Sequence, residues 1–472
     1  MKYGVAAVVL FALLAAPSYA QEEKSAPVDS ADNARRLDQL EAELKEVKEE
    51  LDRERRARER DDILGSRALT IYGDLGLRWQ YTLTDGEYDS DTPDTNNTSR
   101  LEYRARLGAA GFIYDSDKHR LKYDLRIAAQ GQGDYDVAPL GAPAVGWRPF
   151  DPLGASAEIA FDRWQLNHTY KQWLRVGAGR FGSIFQGTEL IFDDDLGLAG
   201  GYGIVDVGIL AGLYEPHNID DWLVRQESSH GGVTHLQLRA AAYYLGQKET
   251  GLPVASDERR PVGLSLQAPS KMWLDLLASS LLIAPGFHYF DGEDAIAANI
   301  GTGNTFTTTA TLDGDGTPAA KYRVGDLYLQ LMFFEDRIAA LKIYGHAARN
   351  FDAQSAPTSD SNRADGFIAG VEWGAIEFSE MGDFRLSYSF QYIEADAVIP
   401  EFNNDVFNTN YTGHMFSLQV NVLPGVTAFG SMYYGWRLVE EIGGVGRKDD
   451  GMPGNPSDDH ETRFRVGITA RF

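Results

Sequence analysis

The 472-residue sequence predicts an all-β transmembrane barrel of about sixteen antiparallel strands, preceded by a short α-helical coiled-coil stem. Three observations lead to this prediction: an apolar stretch at the start, a heptad repeat after it, and period-two alternation from residue 69 onward. The composition agrees, because 49 glycines and 11% aromatic residues suit many short strands joined by tight turns.

The first residues have the features of an export signal. Lys2 gives a positive start, Val5 to Ala16 is an unbroken apolar run, and Ser18-Tyr19-Ala20 places small residues before Gln21. We therefore expect residues 1–20 to be a signal peptide. A membrane anchor is the alternative, but the run is too short to span about 30 Å of hydrocarbon.

A heptad repeat follows a polar, flexible leader at residues 21–34. Within residues 35–64, apolar a and d positions recur at alternating spacings of three and four. This seam consists of Leu37, Leu40, Leu44, Val47 and Leu51. Glutamates at g positions can meet basic residues at e positions of a parallel neighbour, which favours a parallel oligomer, with three chains as the preferred number. A solvated monomeric helix stays open as an alternative, because about two and a half heptads are marginal alone.

Residues 69–472 alternate between apolar and polar side chains. In the first run, odd positions such as Leu75, Leu77 and Trp79 are apolar, whereas even positions such as Asp74 and Arg78 are polar. Alternation over about fifteen residues exceeds an ordinary strand of about 5–6 and suits a tilted strand that crosses a bilayer. Lipid offers no partner to a bare backbone group, so such a sheet must close on itself.

Similar alternation recurs along the chain, and the connections alternate between short and long. Later runs are Val205–Leu213, Leu236–Tyr244, Leu327–Phe333, Phe367–Ala375 and Phe384–Tyr392. Tight turns are predicted at Asp115–Lys118, Ser379–Asp383 and Leu423–Gly425. Long polar loops are predicted on the opposite side, at residues 84–99, 132–156, 215–232, 291–320, 351–364, 394–411 and 439–460. Residues 257–290 are hard to divide into strands.

Three local sequences resemble a known family. They are Gly179-Arg180-Phe181 followed by Thr188 to Leu196, then Tyr392 to Pro400 with Gly413-His414-Met415, and the terminal Phe472. With its architecture, the chain resembles the "putative porin" family of bacterial outer-membrane proteins, which have a coiled coil before the barrel. The resemblance implies passive diffusion of small hydrophilic solutes, commonly through homotrimers, in the lipid of the Gram-negative outer membrane. It also implies that the barrel-assembly machinery reads Phe472.

The resemblance further implies a charged constriction. The inward side of the first three predicted strands supplies Arg78, Arg104, Arg106, Arg120, Lys122 and Arg126. The segment 182–200 is the candidate for a loop folded into the lumen, and it contains Glu189, Asp193, Asp194 and Asp195. Opposed charges across a narrow water path favour polar and charged solutes. Two alternatives remain: the arginines form ion pairs with Asp74, Glu102 and Asp124, and the acidic cluster is a solvated external loop.

Composition and motifs also limit the function. With 0 cysteines, the chain has neither a disulfide scaffold nor a thiolate metal site, and the formal net charge of −25 argues against nucleic-acid binding. Its histidines show no convincing metal spacing, so we expect no metal, no cofactor and no catalytic residue. The net charge hints at a mild preference for cations. A substrate-selective transporter for an oligosaccharide or anion is the alternative function, and a structural or adhesive protein ranks last.

Overall fold

A computed structural model describes residues 69–85, 98–116, 118–131, 148–149, 157–192, 196–214, 232–244, 262–274, 277, 279–291, 322–335, 339–353, 364–394, 397–399, 409, 411–438 and 460–472. The predicted signal peptide, leader and coiled-coil stem lie outside these residues. In the part of the chain that the structure describes, no helix is both long and apolar enough to cross a membrane.

The described residues form one closed antiparallel sheet. Its strands are β1 Thr70–Asp85, β2 Thr98–Asp115, β3 His119–Gly131, β4 Arg148–Pro149, β5 Ala157–Tyr170, β6 Leu174–Phe181, β7 Leu198–Asp206, β8 Gly232–Tyr244, β9 Val262–Gln267, β10 Ser270–Leu274, β11 Ser279–Asp291, β12 Tyr322–Phe333, β13 Ala340–Asn350, β14 Asp365–Gly374, β15 Phe384–Ile393, β16 Tyr411–Leu423, β17 Val426–Arg437 and β18 His460–Arg471. Within the described ranges these segments occupy sixteen positions around the barrel, as the sequence predicts. Two positions hold two segments each: β4 continues the pairing along β2 beyond β3, and β9 and β10 both lie between β8 and β11.

The break between β9 and β10 explains why residues 257–290 resist division from sequence. It falls at Ala268-Pro269, and proline has no backbone N–H to give to a sheet. The carbonyl oxygen of Pro269 still accepts from the backbone N–H of Gln237 at 3.0 Å, and the N–H of Ala268 donates to the carbonyl oxygen of Pro285 at 2.9 Å. The position between β8 and β11 is therefore occupied by two short strands, β9 and β10, instead of one long strand.

The first and last strands close the barrel. β1 and β18 pair without a bulge from Asp74 opposite Arg471 to Asp85 opposite His460. Beyond that register, Gly73 and Phe472 exchange both backbone hydrogen bonds, at 3.0 and 3.1 Å. A Cβ at Gly73 would lie 2.5 Å from the carbonyl oxygen of Arg106 in β2, so only glycine fits this seam. Closure leaves no bare strand edge, which is the condition for a sheet in lipid.

The two faces of the sheet have opposite polarity. In β1 the odd residues Leu75 and Trp79 are 56% and 43% exposed on the outside, whereas the even residues Asp74 and Arg78 are 8% and 7% exposed. Large apolar side chains are exposed on the outer face around the barrel. A soluble monomer rarely shows so large an apolar surface, whereas a lipid-facing belt requires it. The predicted alternation is confirmed.

The short turns lie at one end of the barrel, as predicted. In the turn between β14 and β15, the Asp383 carboxylate accepts hydrogen bonds from the backbone N–H groups of Glu380, at 2.7 Å, and Ser379, at 2.8 Å. These two bonds, with that of Glu380 the stronger influence, hold the pKa of the Asp383 carboxyl below its ordinary value. The turn is therefore stabilised by a charged cap.

Two expectations about the region after β7 are wrong. The alternation over Val205–Leu213 predicts a strand, but β7 ends at Asp206, whose carboxylate accepts from the N–H of Ile209 at 2.9 Å and caps helix α1, Val207–Leu210. The connection after α1 also leaves from the end of the barrel with the short turns, not from the end with the long loops. The direction of β7 determines at which end of the barrel the connection to β8 lies, and the composition of the connection does not show this.

Candidate functional site

The connection after β6 folds into the lumen. Within residues 182–192, here named the inward loop, Leu190, Ile191 and Phe192 are buried at 0%, 6% and 6% exposure. They pack with inward-facing wall residues of β6–β8 and β11–β15. These wall residues are Phe181, Leu198, Tyr202, Ile204, Ala241, Tyr243, Phe290, Tyr322, Val324, Ala348, Ile368 and Ile393. Because the loop lies against one side of the barrel, it narrows the interior from that side.

Polar groups from the same wall anchor the inward loop. The backbone N–H of Gln186 donates to the Gln267 Oε1 atom at 2.7 Å, and the Gln267 Nε2 atom donates back to the Gln186 carbonyl oxygen at 2.6 Å. Arg239 donates to the carbonyl oxygen of Ile184. The backbone N–H of Thr188 donates to His346 Nδ1 at 3.2 Å. Backbone groups that would otherwise be buried without partners are thereby satisfied.

A buried hydrogen-bond network orients the His346 anchor. Because His346 Nδ1 accepts from the loop, its Nε2 carries the proton and donates to Asp326 at 2.9 Å. The other Asp326 oxygen lies 3.0 Å from His288 Nε2, and His288 Nδ1 lies 2.7 Å from the Ser265 hydroxyl oxygen. No three His, Asp or Glu side chains in the described ranges are placed to hold a metal ion. This network is not predicted from the sequence, because its members are far apart in the chain.

Three of the six predicted basic residues form ion pairs inside the barrel with the carboxylates named in the alternative above. Arg78 pairs with Glu102, and Arg104 and Arg106 both donate to Asp74, at 2.9 and 2.7 Å. These are pairs that the sequence analysis left open as an alternative.

The remaining predicted basic residues have different surroundings. Arg126 pairs with Asp162 at 2.6 Å, a partner that the sequence analysis did not name. Arg120 lies at the turn end, where it pairs with Asp115 at 3.1 Å, and Lys122 is exposed. Whether these side chains line a water path stays a prediction.

Further arginines lie on the same side of the barrel. Arg163 of β5 lies 3.7 Å from Asp124, and Arg465 of β18 donates to Gln80 at 2.6 Å. We define the basic wall as nine of the inward-facing cations of β18, β1–β3, β5 and β6, leaving aside Arg100 at the loop end and Arg120 and Arg471 at the turn end. The nine are Arg78, Arg104, Arg106, Lys122, Arg126, Arg163, Arg175, Arg463 and Arg465. The carboxylates on this wall are Asp74, Glu102, Asp124, Asp162 and Glu461. Strand parity applied to β5, β6 and β18 would have found the additional arginines.

The predicted acidic residues are only partly described. Glu189 is half-buried within the inward loop. Asp193, Asp194 and Asp195 lie outside the described residues. The predicted acidic role of this loop therefore stays a prediction.

A cavity of about 230 Å³ lies beside the inward loop. Gln186 of the loop lines it, together with two ion pairs: Lys271 with Glu335 at 2.5 Å, and Lys342 with Glu372 at 2.8 Å. Arg385 adds a third cation to the lining, and apolar side chains such as Leu282 and Met332 share it. The cavity therefore combines polar and apolar surface.

Comparison with known proteins gives one family match and several similar structures. The high-pH structure of Pseudomonas putida OprB is 12% identical, with 88% of this chain and 96% of that chain covered and a TM-score of 0.49. Salmonella typhi OmpF in complex with daunomycin is 12% identical, covers 86% and 98%, and has a TM-score of 0.45. The trimer form of OmpT, an outer membrane protein of Vibrio cholerae, is 11% identical, covers 86% and 99%, and has a TM-score of 0.40. No curated protein matches the sequence. Residues 74–215 match the family described as "Putative porin", and this match supports a porin family for the chain.

Proposed function

We propose that the protein is an outer-membrane porin of a Gram-negative cell, through which small hydrophilic solutes and ions diffuse passively. The observation that supports this most is the closed barrel whose outer face is apolar and whose inner face bears charged side chains. A soluble protein has its apolar side chains inside and its polar ones outside, so this distribution is reversed. It fits a barrel wall that separates lipid from water. The family match over residues 74–215 agrees.

The same proposal describes a channel and not an enzyme. The inward loop and the basic wall face each other across the lumen, and a solute gradient is the only driving force needed. Sixteen strands are enough for an aqueous channel. The charged interior then favours polar solutes, because moving an ion through an apolar passage is costly.

The proposal also assigns the regions outside the described residues. Residues 1–20 are removed as a signal peptide, residues 21–34 form a leader, and residues 35–64 form a coiled coil that joins three chains. Residues 69–472 insert as the barrel, with Phe472 read by the barrel-assembly machinery. The exposed ring of Phe472 beside the closing seam is compatible with that role.

Recording from purified protein in planar bilayers tests the channel and its subunit number together. We expect stable conductance in salt solution that closes in three equal steps. A variant lacking residues 21–64 behind the same signal peptide serves as the control for the stem, and it should conduct in single steps. Folded, inserted barrels that pass no current would overturn the proposal, and single-step closure of the full chain would overturn the trimer.

A transporter for one substrate is the second candidate, because the inward loop narrows the lumen and borders a partly polar cavity. Liposome swelling with sugars of increasing size separates the two functions. We expect uptake that falls smoothly with size. Uptake of one saturable substrate alone would favour the transporter.

A further inference from the structure

We infer that the lumen selects anions, and that its solutes are small hydrophilic molecules bearing carboxylate or phosphate groups. The inference rests on the proposed channel and adds the sign of its selectivity. It opposes the mild cation preference that the net charge of −25 suggests.

The basic wall carries a surplus of positive charge. Within the described residues, its nine cationic side chains face five carboxylates. All five carboxylates lie in ion pairs with arginines of the wall: Glu102, Asp74, Asp162, Asp124 and Glu461. They reduce the field but are too few to reverse it. These cations belong to six neighbouring strands, so the surplus lies on one side of the lumen, here called the positive strip.

The opposite wall does not offset this surplus. Its cations Lys271 and Lys342 are matched by Glu335 and Glu372. Asp326 is enclosed between two histidines, and Gln237 joins the buried Asp206 to Arg239 by hydrogen bonds. The inward loop adds the half-buried Glu189, so the described charges of this wall nearly cancel. A solute passing through therefore meets a positive strip on one side and a nearly neutral surface on the other.

The strip is close enough to act on ions in water. A unit charge about 8 Å from an ion in water changes the local ion concentration about twofold without salt and about 1.4-fold after screening over one Debye length. Chloride and potassium respond in opposite directions, so each charge changes their concentration ratio about twofold. Guanidinium groups also bind carboxylate and phosphate oxygens through two parallel, charge-assisted hydrogen bonds. A neutral sugar has no anionic group that could accept such a pair of bonds. The chemistry of the wall thus favours oxyanions over neutral solutes.

Reversal potentials across a potassium chloride gradient test the inference. The wild-type channel should pass chloride in preference to potassium. In the variant Arg175→Gln with Arg463→Gln, two positive charges leave the basic wall while hydrogen-bonding side chains remain, and the ratio of chloride to potassium permeability should fall about fourfold. Arg175→Lys with Arg463→Lys keeps the charge and should keep the ratio.

A matched double substitution on the outer surface provides the control. Arg323 and Arg349 lie near the loop end, 53% and 57% exposed, in ion pairs with Asp352 and Asp365. Arg323→Gln with Arg349→Gln removes the same charge and should leave the permeability ratio unchanged. Preference of the wild type for potassium, or an unchanged ratio in the basic-wall variant, would overturn the inference while leaving the channel intact. A complete absence of current would overturn the channel itself.

Discussion

Shortening Leu190 to alanine tests whether apolar packing holds the inward loop in place. Leu190 is 0% exposed, and its Cδ1 atom lies 3.3 Å from the position that a Cβ on Gly366 would take. A leucine buried this tightly costs about 2–5 kcal/mol when truncated to alanine, because the surroundings collapse only partly into the cavity. Each polar anchor of the loop contributes about 0.5–1.5 kcal/mol, so the loss is comparable to removing two of them.

The expected consequence is a loop that leaves the wall more often. A loss of about 2 kcal/mol, the lower end of that range, raises the undocked fraction about thirtyfold. Single-channel recording of Leu190→Ala should therefore show larger mean conductance and more current noise than the wild type. Leu329→Ala is the control, because it removes the same atoms from an outward side chain that is 41% exposed. If folded Leu190→Ala barrels gave wild-type conductance and noise, the inward loop would not be the narrow part of the lumen.

Three further predictions concern the wall itself. Gly73→Ala should lower the yield of closed barrel, measured by the mobility of unheated samples on gels, because the new Cβ would meet a carbonyl oxygen at 2.5 Å; a wild-type yield would contradict the tight seam. Arg104→Ala and Arg106→Ala should be non-additive in thermal unfolding by about 0.5–3 kcal/mol, because either arginine alone still compensates Asp74; simple additivity would show that Asp74 has other compensation. The lowered pKa of Asp383 gives its turn stability that is complete above a pH of about 4 and is lost as pH falls through the folded-state pKa. Amide exchange of the capped N–H groups should therefore gain protection as pH rises in the wild type and not in Asp383→Asn, and equal pH dependence in both would contradict the cap.

The barrel could be predicted from sequence because its pattern is local. Side chains in a strand alternate between the two faces of the sheet. In a barrel wall between lipid and water, apolar and polar residues therefore alternate along each strand. Leu75 and Asp74 illustrate this: neighbours in the chain, they lie on opposite faces with very different exposure. The same parity places Arg104 and Arg106 inside without any knowledge of their partners.

The site was harder to predict because its contacts are distant in the chain. Thr188 meets His346 across 158 residues, and Gln186 meets Gln267 across 81. Neither pair has a local signature, since a polar residue in a loop and one on an inward strand position are both ordinary. The prediction for the end of β7 was wrong for a different reason. Val205 to Leu213 alternates like a strand, but Asp206 caps a helix that begins at Val207. Alternation alone does not choose between these outcomes.

Net charge misleads about selectivity because a channel responds to position and not to the total. Charges farther from the solute path than the Debye length, about 8–10 Å in physiological salt, are screened. The connecting segments 86–97 and 439–459 alone hold ten acidic and two basic side chains. The basic wall, by contrast, borders the proposed path along six neighbouring strands. An acidic protein can therefore enclose a positive lumen, and the sign of the reversal potential decides between the two views.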